Sequence, residues 1–237
     1  MSYLEDLKVF NENYKCENIN VDGSTFRYVL DGKKDAKTLV FLNGGMNTLE
    51  MWMNYVGTLA NEYQVLLFDY PQELKTNQEL VVGMHKFFEK MGIENPIFVG
   101  ASGGGMISQI YIQKYPKEVG GLVLISTGGM DVATLKSFKK QYFFAPIILF
   151  YMRHCNYEKL KPRLIKMGMG HIRDESKEQV AYAKEMFETI FKDFKQENLI
   201  KLMHKPEIKY VSGGHLSTVL KVDDYVKTIR EFLQRNI

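Results

Sequence analysis

Short apolar runs alternate with helical patterns along the first half of the chain. Four short runs are apolar, and the first of them, Thr38–Leu42, is of the kind that is buried on both faces of a parallel sheet. They lie at Thr38–Leu42, Gln64–Phe68, 96–99 and Gly121–Ile125. Between them, apolar residues recur at helical spacing over residues 51–61, 78–91 and 106–111. This alternation predicts an α/β fold, with an open, mostly parallel sheet and helices on both faces.

The two ends of the chain follow different patterns. After a short N-terminal segment, alternating residues 15–21 and 25–30 flank Asp22-Gly23. Asp-Gly between alternating runs is the strongest short signal for a hairpin, so we expect the sheet to open with an antiparallel pair. Near the other end, residues 207–211 predict one last strand. The amphipathic helix that follows has one apolar face, formed by Val222, Val226, Ile229 and Leu233.

Between these parts, residues 128–204 predict helix after helix without a convincing strand. A capping box of Ser176 and Gln179 begins one of these helices. A helical insertion that follows a strand end facing a functional site would form a lid. We therefore expect a core of residues 1–127 and 205–237, with residues 128–204 inserted into it as a helical cap.

The composition is that of an ordinary globular protein. The chain has 237 residues, 45% hydrophobic and 25% charged, and its net charge is +3. The Lys and Glu residues are interleaved, so nucleic acid is not an expected partner. Cys16 and Cys155 are too few for a disulfide framework, and residues 1–6 lack a signal-peptide pattern. The longest apolar run, residues 142–152, contains a proline and is shorter than the ~18 residues of a membrane span. We expect a cytoplasmic protein without a membrane span, of unknown oligomeric state.

One apolar run stops at a serine that is surrounded by glycines. Gly100-Ala101-Ser102-Gly103-Gly104 has the G-x-S-x-G spacing, in which the serine occupies a turn so tight that flanking side chains would collide. Such a turn holds the hydroxyl clear of the sheet at the positive end of the next helix, where backbone N–H groups can face an oxyanion. Ser102 is therefore the candidate nucleophile. A dinucleotide-binding turn requires G-x-G-x-x-G, whereas the order here is G-x-x-G-G-G.

A serine nucleophile also needs a base. Of the five histidines, His215 alone follows two glycines at the carboxyl end of a predicted strand. In an open parallel sheet, that edge is where ligands bind. The other four histidines lie within predicted helices or the cap, so His215 is the candidate base.

Four features make the sequence resemble the α/β-hydrolase superfamily over most of its length. They are the elbow at Ser102, the Asn43-Gly44-Gly45 turn with Trp52 after it, Tyr115-Pro116 before a strand that ends in Ser126-Thr127, and Gly213-Gly214-His215 before the last helix. The family's oxyanion turn has histidine where this chain has Asn43. The resemblance implies that Ser102 is the nucleophile, that His215 is the base, and that the N–H groups of Gly45 and Gly103 form the oxyanion hole.

The chain departs from the family pattern at the triad acid. In the family order Ser, Asp or Glu, His, the acid follows a strand and loop between the cap and the last strand. Here a cap helix through residues 191–200 runs almost directly into the last strand. Either that unit is deleted or a different carboxylate orients His215. The best substitute is Asp131, just past the strand after the elbow helix, where some members of the fold keep their acid; Asp223 and Asp224 are better suited to capping the last helix.

These patterns together predict a serine hydrolase that resembles carboxylesterases and is weakened if its acid is missing. We expect it to cleave a small or medium ester or related acyl compound through an acyl-enzyme on Ser102, with no metal or organic cofactor. The cap supplies candidate pocket residues: Phe143, Phe144, Ile147, Phe150 and Tyr151. The alternative is a catalytically impaired member of the fold that binds a hydrophobic ligand or a partner protein under its cap.

Overall fold

A six-stranded sheet runs through the part of the chain that the computed structural model describes, which comprises residues 2–128, 157–169, 176–193 and 222–236. The strands are β1 (Glu17–Val21), β2 (Ser24–Gly32), β3 (Thr38–Leu42), β4 (Gln64–Phe68), β5 (Ile97–Ala101) and β6 (Gly121–Ile125). Their spatial order is β1-β2-β4-β3-β5-β6. Strands β3 to β6 are parallel, while β2 is antiparallel to both β1 and β4. The predicted fold class is confirmed.

Helices cover both faces of this sheet. They are α1 (Tyr3–Asn13), a 3₁₀ helix (Leu49–Trp52), α2 (Met53–Leu59), α3 (Asn77–Met91), α4 (Gly103–Lys114), α5 (Tyr157–Met169), α6 (Lys177–Asp193) and α7 (Val222–Asn236). The predicted hairpin is present, with Val21 paired to Ser24 and positive φ angles at Asp22 and Gly23. The four apolar runs of the sequence are the four parallel strands β3 to β6. All residues of β3 and β5 are buried.

Alternate residues of each strand face two separate apolar layers. On one face, Phe41 and Val99 pack in a cluster with residues of α1, α2, α5, α6 and α7. On the other face, Leu42 and Phe98 pack with residues of α3 and α4. Because both faces are covered, side chains on either side of β3 and β5 are withdrawn from water, which explains their continuous apolar runs. In β6, by contrast, Leu124 is exposed. The carboxyl ends of β3, β4 and β5 therefore meet at one edge between the two layers.

Helix α1 has no counterpart in the prediction, which treated these residues as a short segment. The sequence nevertheless contains a capping box, Ser2 and Glu5, at the start of this helix. The Glu5 backbone N–H donates to Ser2 Oγ at 3.2 Å, and the Ser2 N–H donates to Glu5 Oε2 at 2.7 Å. Tyr3 and Phe10 bury its apolar side. The helix is a result of packing on α2 and α6 as well as of its cap.

Two helices of the predicted cap segment lie within the described residues. The Ser176–Gln179 capping box begins α6 as predicted, with hydrogen bonds of 2.9 and 3.2 Å in the two directions. Tyr182 of α6 donates its hydroxyl proton to Asp6 at 2.8 Å and accepts from Asn54 at 3.2 Å. Helix α6 is thus anchored to α1 and α2 of the core. The boundaries of the cap stay a prediction.

The last described helix also matches its predicted pattern. Val226, Ile229 and Leu233 of α7 are buried and Val222 is partly buried. Arg230 of the same helix pairs with Glu62 after α2 and donates to the Thr58 carbonyl at 3.1 Å. Among all the helices whose placement is described, none is long and apolar enough to cross a membrane. The predicted strand at 207–211 lies outside the described residues.

Candidate active site

Ser102 occupies a strained turn between β5 and α4. Its φ is +53° and its ψ is −119°, a left-handed conformation that non-glycine residues rarely adopt. Hydrogen bonds hold the residue in that conformation: its N–H donates to the Ile125 carbonyl at 2.9 Å, and its carbonyl accepts from Thr127 Oγ1 at 2.7 Å. Strain of this kind, of order 1–3 kcal/mol, persists only where neighbouring groups fix the backbone. The side chain is left half-buried, at the amino end of α4.

The glycines on either side of Ser102 are required for steric reasons. A Cβ atom on Gly104 would overlap the Leu42 carbonyl and lie 2.8 Å from the Asn43 oxygen. A Cβ atom on Gly100 would lie 2.7 Å from the Gly105 Cα. The first turn of α4 therefore presses directly on the backbone of β5 and on the end of β3. This close approach fixes the position of Ser102 relative to the turn that follows β3.

The turn that follows β3 packs against Ser102. A Cβ atom on Gly44 would lie 3.3 Å from Ser102 Cβ and 3.8 Å from Ser102 Oγ. Gly45 is exposed, and a Cβ atom there would meet nothing within 4 Å. Gly103 is the first residue of α4, so its N–H lies among those that the helix leaves without an intrahelical partner. The sequence-predicted residues Ser102, Gly45 and Gly103 thus lie at one edge of the sheet.

Asn43 connects this turn to three other parts of the core. Its buried side-chain amide donates to the Phe68 carbonyl at 2.6 Å and accepts from Trp52 Nε1 at 3.0 Å. Its backbone carbonyl accepts from the Tyr70 hydroxyl at 2.9 Å. Burial raises the pKa of that tyrosine hydroxyl above its usual value, so it stays a donor. The turn is therefore fixed by neutral groups at its first residue.

A partly buried charge cluster lies one strand away from this turn. Arg27 Nη1 donates to Asp69 Oδ2 at 2.7 Å, and Arg27 Nη2 forms an ion pair with Glu50. Burial raises the pKa of the Asp69 carboxyl to about 6, Glu50 adds to this rise, and Arg27 opposes it. Burial also acts to raise the pKa of Glu50, but the hydrogen bond and charge of Arg27 outweigh it and lower that pKa.

Sequence reasoning did not find this charge cluster. Arg27, Glu50 and Asp69 are far apart in the sequence. The pairing of β2 with β4 brings Arg27 to Asp69, and the 3₁₀ helix brings Glu50 to both. A weak signal was available, because Asp69 directly follows a parallel strand at its carboxyl end, where functional side chains of open sheets gather.

The remaining predicted site residues lie outside the described residues. They are the base His215, the acid Asp131 and the pocket residues Phe143, Phe144, Ile147, Phe150 and Tyr151. Asp223 and Asp224 are described, and both are exposed in the first turn of α7, as expected for residues at a helix amino end. Among the residues that are described, no group of three or more His, Cys, Asp or Glu side chains could hold a metal ion.

Comparisons with known proteins agree with this geometry. A family model described as the alpha/beta hydrolase fold matches residues 37–146, which include the β3 turn and Ser102. In fold, the chain is similar to an enol-lactonase from Burkholderia xenovorans, with a TM-score of 0.72 at 16% identity over 92% of this chain and 100% of that one. It is likewise similar to a Bacillus subtilis carboxylesterase, with a TM-score of 0.65 at 15% identity over 99% and 96% of the two chains. The chain has the α/β-hydrolase fold.

Two curated relatives are similar in sequence over part of their length. One is the dihydrolipoyllysine-residue acetyltransferase component of the acetoin cleaving system of Cupriavidus necator, 28% identical over 135 residues, which are 53% of this chain and 36% of that protein. The other is a human monoacylglycerol lipase, 27% identical over 125 residues, 48% of this chain and 37% of the lipase. The chain thus spans little more than a third of the length of these relatives.

The contact between α4 and β3 makes a direct prediction about stability. Gly104→Ala forces a methyl group into the Leu42 carbonyl, so we expect the free energy of unfolding in urea to fall by about 3 kcal/mol. The matched control is Gly57→Ala within α2, where the nearest atom to the new methyl group is the Tyr14 hydroxyl at 3.3 Å. That control should stay within about 1 kcal/mol of the parent. A Gly104→Ala variant as stable as the parent would contradict the described packing.

Proposed function

We propose that the chain is a serine hydrolase that cleaves an ester or related acyl compound through an acyl-enzyme on Ser102. The observation that carries the proposal is the left-handed turn at Ser102, with the amino end of α4 beneath the side chain and the β3 turn against it. A serine held at positive φ at the amino end of a helix, where the first N–H groups have no intrahelical partner, is the arrangement that nucleophilic acyl transfer requires.

The proposed reaction follows from the roles of these groups. The Ser102 oxygen attacks the carbonyl carbon of the ester while His215 takes its proton. The oxyanion that forms accepts hydrogen bonds from the N–H groups of Gly45 and Gly103, which is the step that such donors accelerate most. His215 then gives the proton to the leaving alcohol. Water attacks the acyl-enzyme by the same route and releases the acid together with free Ser102.

The names of the similar proteins support this chemical class. Lactonase, carboxylesterase and monoacylglycerol lipase are all names for enzymes that cleave acyl esters, and an acetyltransferase moves an acyl group. For this chain we propose a small or medium ester, because the apolar residues of the predicted cap would accept an acyl chain. No metal is required in this mechanism.

The nucleophile can be tested with a fluorophosphonate probe, which reacts with activated serines. We expect the parent chain to be labelled and Ser102→Ala to lose the label completely, because no other described serine has this backbone and surroundings. Intact-protein mass spectrometry measures the bound probe. Circular dichroism would check that both proteins are folded.

Ser126→Gly is the matched control for this labelling. Ser126 directly follows the neighbouring strand β6 and also has a positive φ, of +47°, which glycine adopts without strain. Its removal should leave the label in place. A label that persists in Ser102→Ala, or a parent that is never labelled, would overturn the proposed nucleophile, and the second result would favour a protein that only binds a ligand.

The substrate class can be tested with p-nitrophenyl esters of increasing acyl length. Each buried methylene contributes about 0.8 kcal/mol, so kcat/KM should rise from acetate through butyrate to hexanoate if the pocket is apolar. The pocket residues to vary afterwards are Phe143, Phe144, Ile147, Phe150 and Tyr151. A steady fall in kcat/KM along the series would contradict an apolar acyl pocket.

The triad acid can be tested by replacing Asp131 with asparagine. Loss of the acid in a serine protease lowers kcat by roughly 10⁴-fold, because the histidine then has the wrong tautomer or orientation. If Asp131 orients His215, Asp131→Asn should lower kcat at least a hundredfold across the pH range. Parent-like turnover in this variant, from a slow parent, would mean that His215 acts without an acid. If the parent has a high kcat, and replacing Asp131, Asp223 or Asp224 with asparagine does not change it, the result would contradict our account of the missing strand-loop unit.

A further inference from the structure

The segment that carries the oxyanion turn is bound at several points to the residues that follow β4. Besides the bond from Asn43 to the Phe68 carbonyl, Asn47 exchanges two hydrogen bonds with Tyr70. The Asn47 side-chain amide donates to the Tyr70 carbonyl at 3.1 Å, and the Tyr70 N–H donates to Asn47 Oδ1 at 2.9 Å. The turn is thus fixed on both sides of Gly45, and its position depends on the end of β4.

Asp69 makes the last of these attachments. Its Oδ1 accepts from the backbone N–H of Leu49 at 2.6 Å, at the first residue of the 3₁₀ helix. The preceding residue, Thr48, does not cap that helix, because its hydroxyl bonds to Glu50 instead. Leu49 is completely buried, so its N–H needs a partner inside the protein. Asp69, which directly follows β4, therefore satisfies the first N–H of the 3₁₀ helix.

Arg27 holds the Asp69 side chain in place. Its guanidinium donates to Asp69 Oδ2 at 2.7 Å, to Glu50, and to Cys16 Sγ at 3.4 Å. The Asp69 backbone N–H donates to the Arg27 carbonyl at 2.9 Å. Strand β2, the end of β4 and the 3₁₀ helix after the oxyanion turn are thus connected through one arginine.

This cluster is poorly explained as a device for stability. The cluster contains two carboxylates and one guanidinium. Partly desolvated ion pairs often contribute no more to the free energy of unfolding than apolar side chains of similar volume would, or less. The raised pKa of Asp69 also indicates that its ionised carboxylate does not stabilise the fold. Folding favours its protonated form, so its contribution to stability falls as pH rises from about 4 to about 6, and ionised Asp69 is a cost at neutral pH. At neutral pH the ionised carboxylate accepts the hydrogen bond from the Leu49 N–H.

We propose that Asp69 is a positioning residue for the oxyanion turn, whose carboxylate fixes the amino end of the 3₁₀ helix and so keeps Gly44 against Ser102. Arg27 orients this carboxylate. The proposal rests on the proposed function for its catalytic consequence, but the contact between Asp69 and Leu49 can be measured without any turnover. Protonation weakens a charge-assisted hydrogen bond. The turn should therefore loosen as pH falls through about 6, where Arg27, Glu50 and Cys16 are the titratable groups that face Asp69.

The first test is independent of catalysis and uses the Ser102→Ala variant of the 237-residue chain. We expect the Leu49 amide resonance in NMR to titrate with a midpoint near pH 6, and this titration to disappear in Ser102→Ala/Asp69→Asn. In Ser102→Ala/Asp69→Ala, amide exchange of residues 44–49 should be at least ~10-fold faster than in Ser102→Ala. The control is Glu62→Ala, which removes the carboxylate paired with Arg230 after α2 and should leave these amides unchanged. A Leu49 amide with no titration, or unchanged exchange in the alanine variant, would overturn the proposal.

The second test uses turnover of a p-nitrophenyl ester. Asp69→Ala should lower kcat by about 10- to 100-fold with KM changed by less than about threefold, because the oxyanion donors act mainly in the transition state. Asp69→Asn keeps one acceptor, so it should recover most of that loss. Parent-like kcat in Asp69→Ala, from an active parent, would overturn the positioning role while leaving Ser102 as the nucleophile. A parent without turnover would overturn the proposed function, and the exchange experiment would still decide the role of Asp69.

Discussion

The close contact between the first turn of α4 and the end of β3 is the constraint on which the rest of the site depends. Gly104 lies against the Leu42 carbonyl so tightly that no side chain fits, and Ser102, two residues earlier, has a strained backbone with a φ of +53°. Two hydrogen bonds stabilise this strained backbone: the Ser102 N–H donates to the Ile125 carbonyl, and the Thr127 hydroxyl donates to the Ser102 carbonyl. The same contact brings Gly44 to the serine side chain. One steric feature therefore sets both halves of the proposed site.

The β3 turn is held by a different kind of interaction. Polar groups at the end of β4, from Phe68 to Tyr70, bind Asn43, Asn47 and Leu49 in turn. Neutral amides and a tyrosine hydroxyl hold the side next to Ser102, and the charged Asp69 holds the far side. A turn whose backbone N–H groups must meet a short-lived oxyanion gains from such preorganisation, because donors already in place need no rearrangement during the reaction. If the proposed function holds, sheet register thereby sets the position of the oxyanion donors.

Much of this architecture could be predicted from local patterns. The buried run 38–42, the Asp22-Gly23 turn and the Ser176 capping box each determine their own element through short-range chemistry, and each is present as predicted. Ser102 could be predicted because the strain requires glycines at fixed spacing. The attachments of Asn47 and Asp69 could not, since Asp69 meets Arg27 only after β2 and β4 pair. Helix α1 was missed because its cap was visible but its stability comes from packing on α2 and α6. The roles of His215 and Asp131 stay predictions.

A crystal structure of the chain after reaction with a phosphonate ester would test the central claim most directly, because the adduct resembles the tetrahedral intermediate of acyl transfer. Our account predicts phosphorus bonded to Ser102 Oγ. It also predicts one phosphonyl oxygen about 2.7–3.1 Å from the backbone nitrogens of Gly45 and Gly103, the distance range of working oxyanion donors. An adduct on another residue, or a phosphonyl oxygen that turns to solvent away from both nitrogens, would contradict it.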